Sequence, residues 1–414
     1  MAEHLQVRTH ALLLGSGLIF ASGALLGLAL PMRAALEGFP TYLIGFIGSA
    51  FAAGFVAGCL LVPRLVAKVG HVRVFGTMAA LVAVTGLVNL LFIHPIAWIV
   101  VRAMTGFAFA GATMIIESWL SESSTSETRG SVFARYMIVT LASSVLGQLT
   151  VTFYQPAGFE PFAIVAILAC LALIPTALSS GRAPEPLHEV RLNFRRLIRL
   201  SPIAVVACFG IGLANGAFGT LAPIFGQGIG MPVAGVAFLV AGAIVGGALM
   251  QAPVGRLSDR MDRRRLLVGI ALAGTVLALG IFLVDLREPA VVIVVVAVLG
   301  GAMHTLYPVA VAHANDRAEK GDFVVVASSL LLIFGGGATF GPAIAAPLMQ
   351  LGGPRWLFLF LAIVYAVVAL HGVWRIRVAP PAEESEHAYV ALEPMQSATQ
   401  EAMYLDPRAD EEHA

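Results

Sequence analysis

Charge is what this sequence most conspicuously lacks. Of its 414 residues only 12% are Asp, Glu, Lys or Arg, whereas 58% are hydrophobic. A soluble domain carries roughly 25% charged residues. Folding alone cannot hide this much apolar surface from water, so a lipid bilayer is expected to solvate much of it. The net charge of +1 gives no basis for a nucleic-acid partner. Cysteine is scarce as well. Cys59, Cys170 and Cys208 all fall inside apolar runs, without CxxC or Cys/His spacing. That excludes a disulfide scaffold and a zinc site and leaves them as small hydrophobes. There is no GxxxxGK[ST] loop, so ATP is not expected to drive the protein directly. HExxH, GxSxG and CxxCH are missing too, and no cofactor is expected.

Long apolar runs are what the sequence has instead. A window of about 20 residues marks a span, and twelve runs qualify. They lie near 11–32, 40–62, 74–93, 95–116, 136–154 and 161–180, then near 203–226, 233–254, 266–285, 289–312, 324–350 and 355–375. The first run is longer than a signal-peptide core and ends without a small-residue cleavage site, so it reads as a retained span. The expected fold is an all-α membrane protein of twelve transmembrane helices in two six-helix halves. Residues 1–180 form the first half and 202–376 the second. A basic linker, 181–201, joins them and holds Arg182, Arg191, Arg195, Arg196 and Arg199. Residues 377–414, rich in Glu, Ala and Pro, read as a disordered cytoplasmic tail.

Lys and Arg collect on the cytoplasmic side of membrane proteins. With the N-terminus inside, 21 of the 25 basic residues fall in cytoplasmic segments. Arg33, Arg287 and Arg355 lie outside, and Arg102 lies within a span. This points to an inner-membrane protein with both termini cytoplasmic.

Two loops repeat one another. Pro63 to Arg73 follows the second run, and Gly255 to Arg265 follows the eighth. An offset of 192 aligns Leu65 with Leu257, Lys68 with Arg260 and Arg73 with Arg265. Parallel repeats around a midplane site are a transporter layout. Gly255, Leu257, Asp259, Arg260, Arg263 and Arg264 match the G-x-L-x-D-R-x-G-R-R loop, and the chain here resembles the major facilitator superfamily. Asp262 departs from the usual Gly, and in the first copy Pro63 and Ala67 replace the Gly and the Asp. Ile116 to Leu120, Glu127 to Gly130, Thr305 to Ala310 and Gly70 to Arg73 resemble its YcaD-like branch. The resemblance covers roughly residues 10–375 and implies a transporter fold without naming a cargo. An Asp at a helix end can face the positive N-terminus of a neighbouring helix. Asp259, with Arg260, Arg263 and Arg264, is therefore the expected conformational latch, residing mainly in Asp259.

The spans offer few polar residues. Arg102 lies about a third of the way into the fourth span from the outer face. The bilayer centre penalises an Arg by about 2.5–3.5 kcal/mol or more, so it should face a cavity or a partner, or snorkel outward. Arg102-x-x-x-Gly106 resembles the fourth-helix arginine motif of the superfamily, associated with proton or substrate handling. Glu117 lies roughly 22 Å further along the helix, so the two cannot pair. It is a proton site or a structural contact. His304 and Tyr307 are three apart and are expected to share a helix face, as cavity-lining or packing residues. Asn215 in the seventh span, and Gln148 with Thr152 one turn on in the fifth, either touch substrate or hold helices together. The expected function is a secondary active transporter of a small solute, with a proton as candidate coupling ion, and the protein is expected to be a monomer in the bilayer. A non-transporting receptor that kept the fold is the alternative. The sparse in-span carboxylates argue against an enzyme.

Overall fold

The computed structural model describes residues 2–178, 194–284, 288–318 and 323–378. Linker residues 181–193 and the tail from 379 onward lie outside the described residues. All regular elements among the described residues are helical. Helix is what lipid demands, because each span must satisfy its own backbone polar groups.

The described residues fall into two compact units. The first holds α1 (Ala2–Leu36), α2 (Thr41–Val69), α3 (His71–Leu91), α4 (Pro95–Glu122), α5 (Ser126–Thr150) and α6 (Glu160–Leu178). The second holds the short α7 (Phe194–Leu200), then α8 (Pro202–Gly228), α9 (Val233–Ser258), α10 (Arg263–Leu283), α11 (Pro289–Asn315), α12 (Phe323–Gly352) and α13 (Trp356–Val378). Eleven of these helices are long and apolar enough to cross a membrane, so this is a multi-pass membrane protein. The apolar stretch of α6, Glu160–Thr176, is shorter.

Proline and glycine set the boundaries. Pro95, Pro202 and Pro289 each open a helix in the first turn, where the missing N–H costs nothing. The break anticipated at His94-Pro95 is the start of α4. The supposed loop from Pro63 to Arg73 is almost entirely helix. Only Gly70 separates α2 from α3, at φ +86°, a conformation that favours glycine. In the second unit the link between α9 and α10 is Asp259 to Asp262.

Within the first unit α1 packs on α5, α2 on α4 and α3 on α6. Within the second, α8 packs on α12, α9 on α11 and α10 on α13. Glycines bring several of these pairs to backbone contact. A Cβ on Gly54 would lie 1.9 Å from the Ala103 carbonyl oxygen, and one on Gly106 2.0 Å from that of Phe51. In the second unit Gly246 stands 1.8 Å from Ala297 O and Gly300 2.1 Å from Ala243 O by the same measure. Gly54 and Gly246 are 192 positions apart, and so are Phe51 and Ala243, the offset that aligns the two basic loops. Gly337 and Gly341 press on the backbone of α8 at Phe209 and Leu213 in the same way.

Candidate functional site

The first unit holds a buried cation. Arg102 projects from α4 and is 8% exposed. Its guanidinium carbon lies 4.4 Å from the centre of the Phe51 ring on α2. A cation over a ring face is held by the ring quadrupole. A Cβ on Gly27 of α1 would meet only Arg102 Nη2, at 3.7 Å. Nη1 is buried without a hydrogen-bond partner among the described residues. Such an atom is costly in low dielectric and marks a position to explain.

From Phe51 a series of aromatic rings runs through the same unit. Phe51 contacts Phe109 with centroids 6.2 Å apart, Phe109 contacts Phe20 at 5.2 Å, and Phe20 contacts Tyr136 at 6.2 Å. Tyr136 of α5 donates its hydroxyl to Glu117 Oε1 at 3.2 Å. Glu117 is completely buried. Beside it, Ser118 Oγ lies 3.4 Å from His71 Nε2 of α3. Glu117 is therefore tied to α5 through Tyr136, and Ser118 faces α3 at His71, both remote from Arg102 along α4. Gln148 is 7% exposed, and its Oε1 has no hydrogen-bond partner among the described residues. Thr152, expected one turn further along the helix, lies instead in a 3-10 turn, where its hydroxyl donates to Leu149 O at 2.7 Å.

The second unit gathers Asn215 and the α11 residues. Asn215 Nδ2 of α8 donates to Met303 O of α11 at 3.2 Å, and its Oδ1 is buried without a hydrogen-bond partner among the described residues. His304 Nδ1 lies 3.0 Å from Gly300 O. A carbonyl accepts only, so Nδ1 carries the proton and Nε2 of the neutral ring is the acceptor. His304 covers Gly247 of α9, where a Cβ would lie 2.6 Å from the ring. Tyr307 is completely buried and meets Phe334 of α12 edge-on at 5.4 Å. The two side chains thus go to different neighbours, although a spacing of three suggested one face. Three residues turn a helix by about 300°, and α11 packs on both α9 and α12.

The charged link before α10 is also rearranged relative to expectation. Arg263 is 7% exposed and pairs closely with Asp316, just past α11. It also donates to Ala312 O at 3.2 Å and to Ser258 Oγ at 3.2 Å. Asp259 is more distant, at 3.7 Å, and its side chain is 43% exposed. Arg260 is exposed. Arg264 binds Asp262, with Nη2 2.8 Å from Oδ2. Asp262 is the N-cap of α10 and accepts the Arg264 N–H at 2.8 Å. Burial alone would raise its carboxyl, but the hydrogen bonds and charge of Arg264 win and hold it below the usual carboxylate range. Asp316 was missed from the sequence, where it looks like any acid in a charged loop. Asp262 was legible in principle, as an Asp directly before a helix start.

The Major Facilitator Superfamily model matches residues 12–247 and 204–401. An uncharacterised MFS-type transporter from Enterobacter sp. (strain 638) is 29% identical over 365 residues, covering 87% of this chain and 93% of that protein. The uncharacterised MFS-type transporter YcaD of Salmonella typhi is 28% identical over 371 residues, covering 87% and 95%. Among solved structures, the nucleoside transporter NupG superposes with a TM-score of 0.75 at 13% identity, covering 90% of this chain and all of that one. A bacterial homologue of the human lysosomal transporter Spinster superposes with a TM-score of 0.66 at 12% identity, covering 97% and 98%. At these identities the structures speak for the fold alone.

Proposed function

The chain belongs to the major facilitator superfamily, and from that premise we propose that it is a secondary transporter moving a small solute by alternating access. The observation that carries this reading is Arg102. Arg102 is 8% exposed, its Nη1 has no hydrogen-bond partner among the described residues, and the Phe51 ring offers its charge only a weak counterpart inside the span. Loss of the charge would relieve a burial cost. A group that must meet a moving solute or proton explains its presence. Gln148 Oε1 and Asn215 Oδ1, likewise buried and unpartnered, support the same role for those side chains. His304 offers Nε2 as an acceptor, whereas Tyr307 and Glu117 are fully enclosed and act through what they touch.

On this reading the chain has twelve spans, in halves of residues 1–180 and 202–376 joined by the linker 181–201. The tail, 377–414, is cytoplasmic. The inner membrane houses the protein with both termini inside, as the bias of basic residues supports. The pairs Arg263–Asp316 and Arg264–Asp262, with Asp259 and Arg260 beside them, form the conformational latch. The protein works as a monomer and needs no cofactor.

The test is uptake or counterflow in proteoliposomes, after a thermal-unfolding screen for solutes that stabilise the protein. Binding only to the folded state raises its stability by RT ln(1 + [L]/Kd). Arg102→Gln should abolish transport of any cargo so found while the folded protein persists. Undiminished transport by Arg102→Gln would remove Arg102 from the pathway.

A further inference from the structure

The carboxylates at the α9–α10 end of the second unit are already engaged, Asp262 by Arg264, and Asp316 and Asp259 by Arg263. Two more guanidiniums stand at the same end. Arg317 follows α11 directly, and Arg375 lies in the last turn of α13. Both are half-buried, and neither makes a salt bridge with a described carboxylate. Packing brings them together. A Cβ on Gly372 of α13 would lie 2.6 Å from Val268 of α10. Arg375 is one turn beyond Gly372, and Arg264 one turn before Val268. Burial, then the charges of Arg264 and Arg375, depress the Arg317 guanidinium from its ordinary value. His313, 3% exposed, lies among these charges, and its Nε2 has no hydrogen-bond partner among the described residues.

Asp262 and Asp316 act on Arg317 as well, but they already pair with Arg264 and Arg263, so half-buried positive charge is left in excess here and an added anion would offset it. The surroundings say which kind of anion. On α13, Ile363, Val367, Leu370 and Trp374 are 53, 54, 69 and 54% exposed. Their spacing of four, three and four places them in one stripe along the helix. The stripe ends at Trp374, whose ring lies 5.6 Å from the Arg375 guanidinium. On α10, which packs against α13, Leu272, Val276 and Leu283 are exposed as well. An apolar track leading to a cation pair, with an amphipathic ring at the junction, has the polarity profile of a phospholipid.

We propose that Arg317 and Arg375 bind the headgroup phosphate of an anionic phospholipid whose acyl chain lies along the Ile363–Trp374 stripe. The phosphate oxygens accept hydrogen bonds from both guanidiniums, a geometry for which Arg is suited. The lipid thereby offsets the excess of positive charge beside the Arg264–Asp262 pair.

Native mass spectrometry of the full chain, purified in dodecyl maltoside and given phosphatidylglycerol or phosphatidylcholine of equal chain length, tests this. The wild type should retain phosphatidylglycerol in preference. Arg317→Gln with Arg375→Gln should lower that retention about thirtyfold, leaving phosphatidylcholine unchanged. Lys at both positions should restore most of it. Arg355→Gln, at the opposite end of α13, should change nothing. If the double variant fails to fold, Arg375→Gln alone carries the test, with an expected loss of about fivefold. Equal retention of the two lipids, or undiminished retention in the Gln variants, would overturn the site. Thermal stabilisation by inorganic phosphate as strong as that by phosphatidylglycerol would overturn the lipid assignment.

Discussion

The contest between Asp259 and Asp316 for Arg263 can be decided by free energy. The repeated loop motif places weight on Asp259, whereas the structure gives the closer and more buried contact to Asp316. The Arg263 and Asp316 side chains are 7% and 11% exposed, and Asp259 is 43% exposed. Removing one member of a buried pair costs about 3–5 kcal/mol, because the other charge is stranded. Asp259, at 3.7 Å, and the hydrogen bonds to Ala312 O and Ser258 Oγ soften the loss, so Asp316→Asn should cost about 3 kcal/mol. Asp259→Asn should cost about 0.5 kcal/mol, as for a largely solvated pair. The measurement is unfolding in mixed dodecyl maltoside and dodecyl sulfate micelles, followed by helicity, with Arg263→Met completing a double-mutant cycle for each acid. The cycle isolates the pair term from the separate effects of each substitution. A coupling for Asp259 equal to or larger than that for Asp316 would refute the reasoning and make Asp259 the main partner of Arg263.

Three further outcomes are expected. Gly246→Ala and Gly54→Ala would each force a Cβ to within 2 Å of a carbonyl oxygen on the partner helix, costing about 1–3 kcal/mol in the same unfolding assay. Gly269→Ala, in α10 with nothing within 4 Å, should instead be neutral or stabilising by up to about 1 kcal/mol. Tyr136→Phe removes the hydroxyl donated to Glu117 and should cost about 1–3 kcal/mol, measured by unfolding in detergent; a neutral result would show that Glu117 does not depend on that donor. The depressed Asp262 carboxyl gives stability that is present above the ordinary Asp range and lost as pH falls through its folded-state value. An acid titration from about pH 4 downward should therefore be flatter in Asp262→Asn.

The class of fold was legible because composition alone decides it. A chain with 12% charged residues and twelve apolar runs admits few arrangements other than a helical membrane protein. A repeat was legible too, through an offset of 192 that recurs between basic residues of the two loops and between Gly54 and Gly246 at the helix contacts. What the sequence could not supply is direction. Periodicity gives the angle at which a side chain leaves its helix but not the helix it meets. His304 and Tyr307 show this, since one covers Gly247 of α9 and the other meets Phe334 of α12. Thr152 shows the companion failure. A helical spacing was extended past Thr150, where α5 ends and a 3-10 turn begins.

The motif's one departure in the second loop turns out to be informative. Asp262 stands where the family usually has Gly, and Gly70 stands 192 positions earlier. The two residues solve one problem, the reversal between paired spans, by different means. Gly70 uses φ +86° and accepts no side-chain contact. Asp262 keeps φ at −52°, caps α10 through its carboxylate and grips Arg264. A glycine there would keep the turn but leave Arg264, whose side chain is 5% exposed, without that carboxylate. Position 262 thus carries a charge that pairs with Arg264 in the second unit, while its counterpart in the first is only a turn. With Ala67 also lacking the acid, the close ion pairs described for these two loops lie in the second unit, at Asp262, Arg263, Arg264 and Asp316.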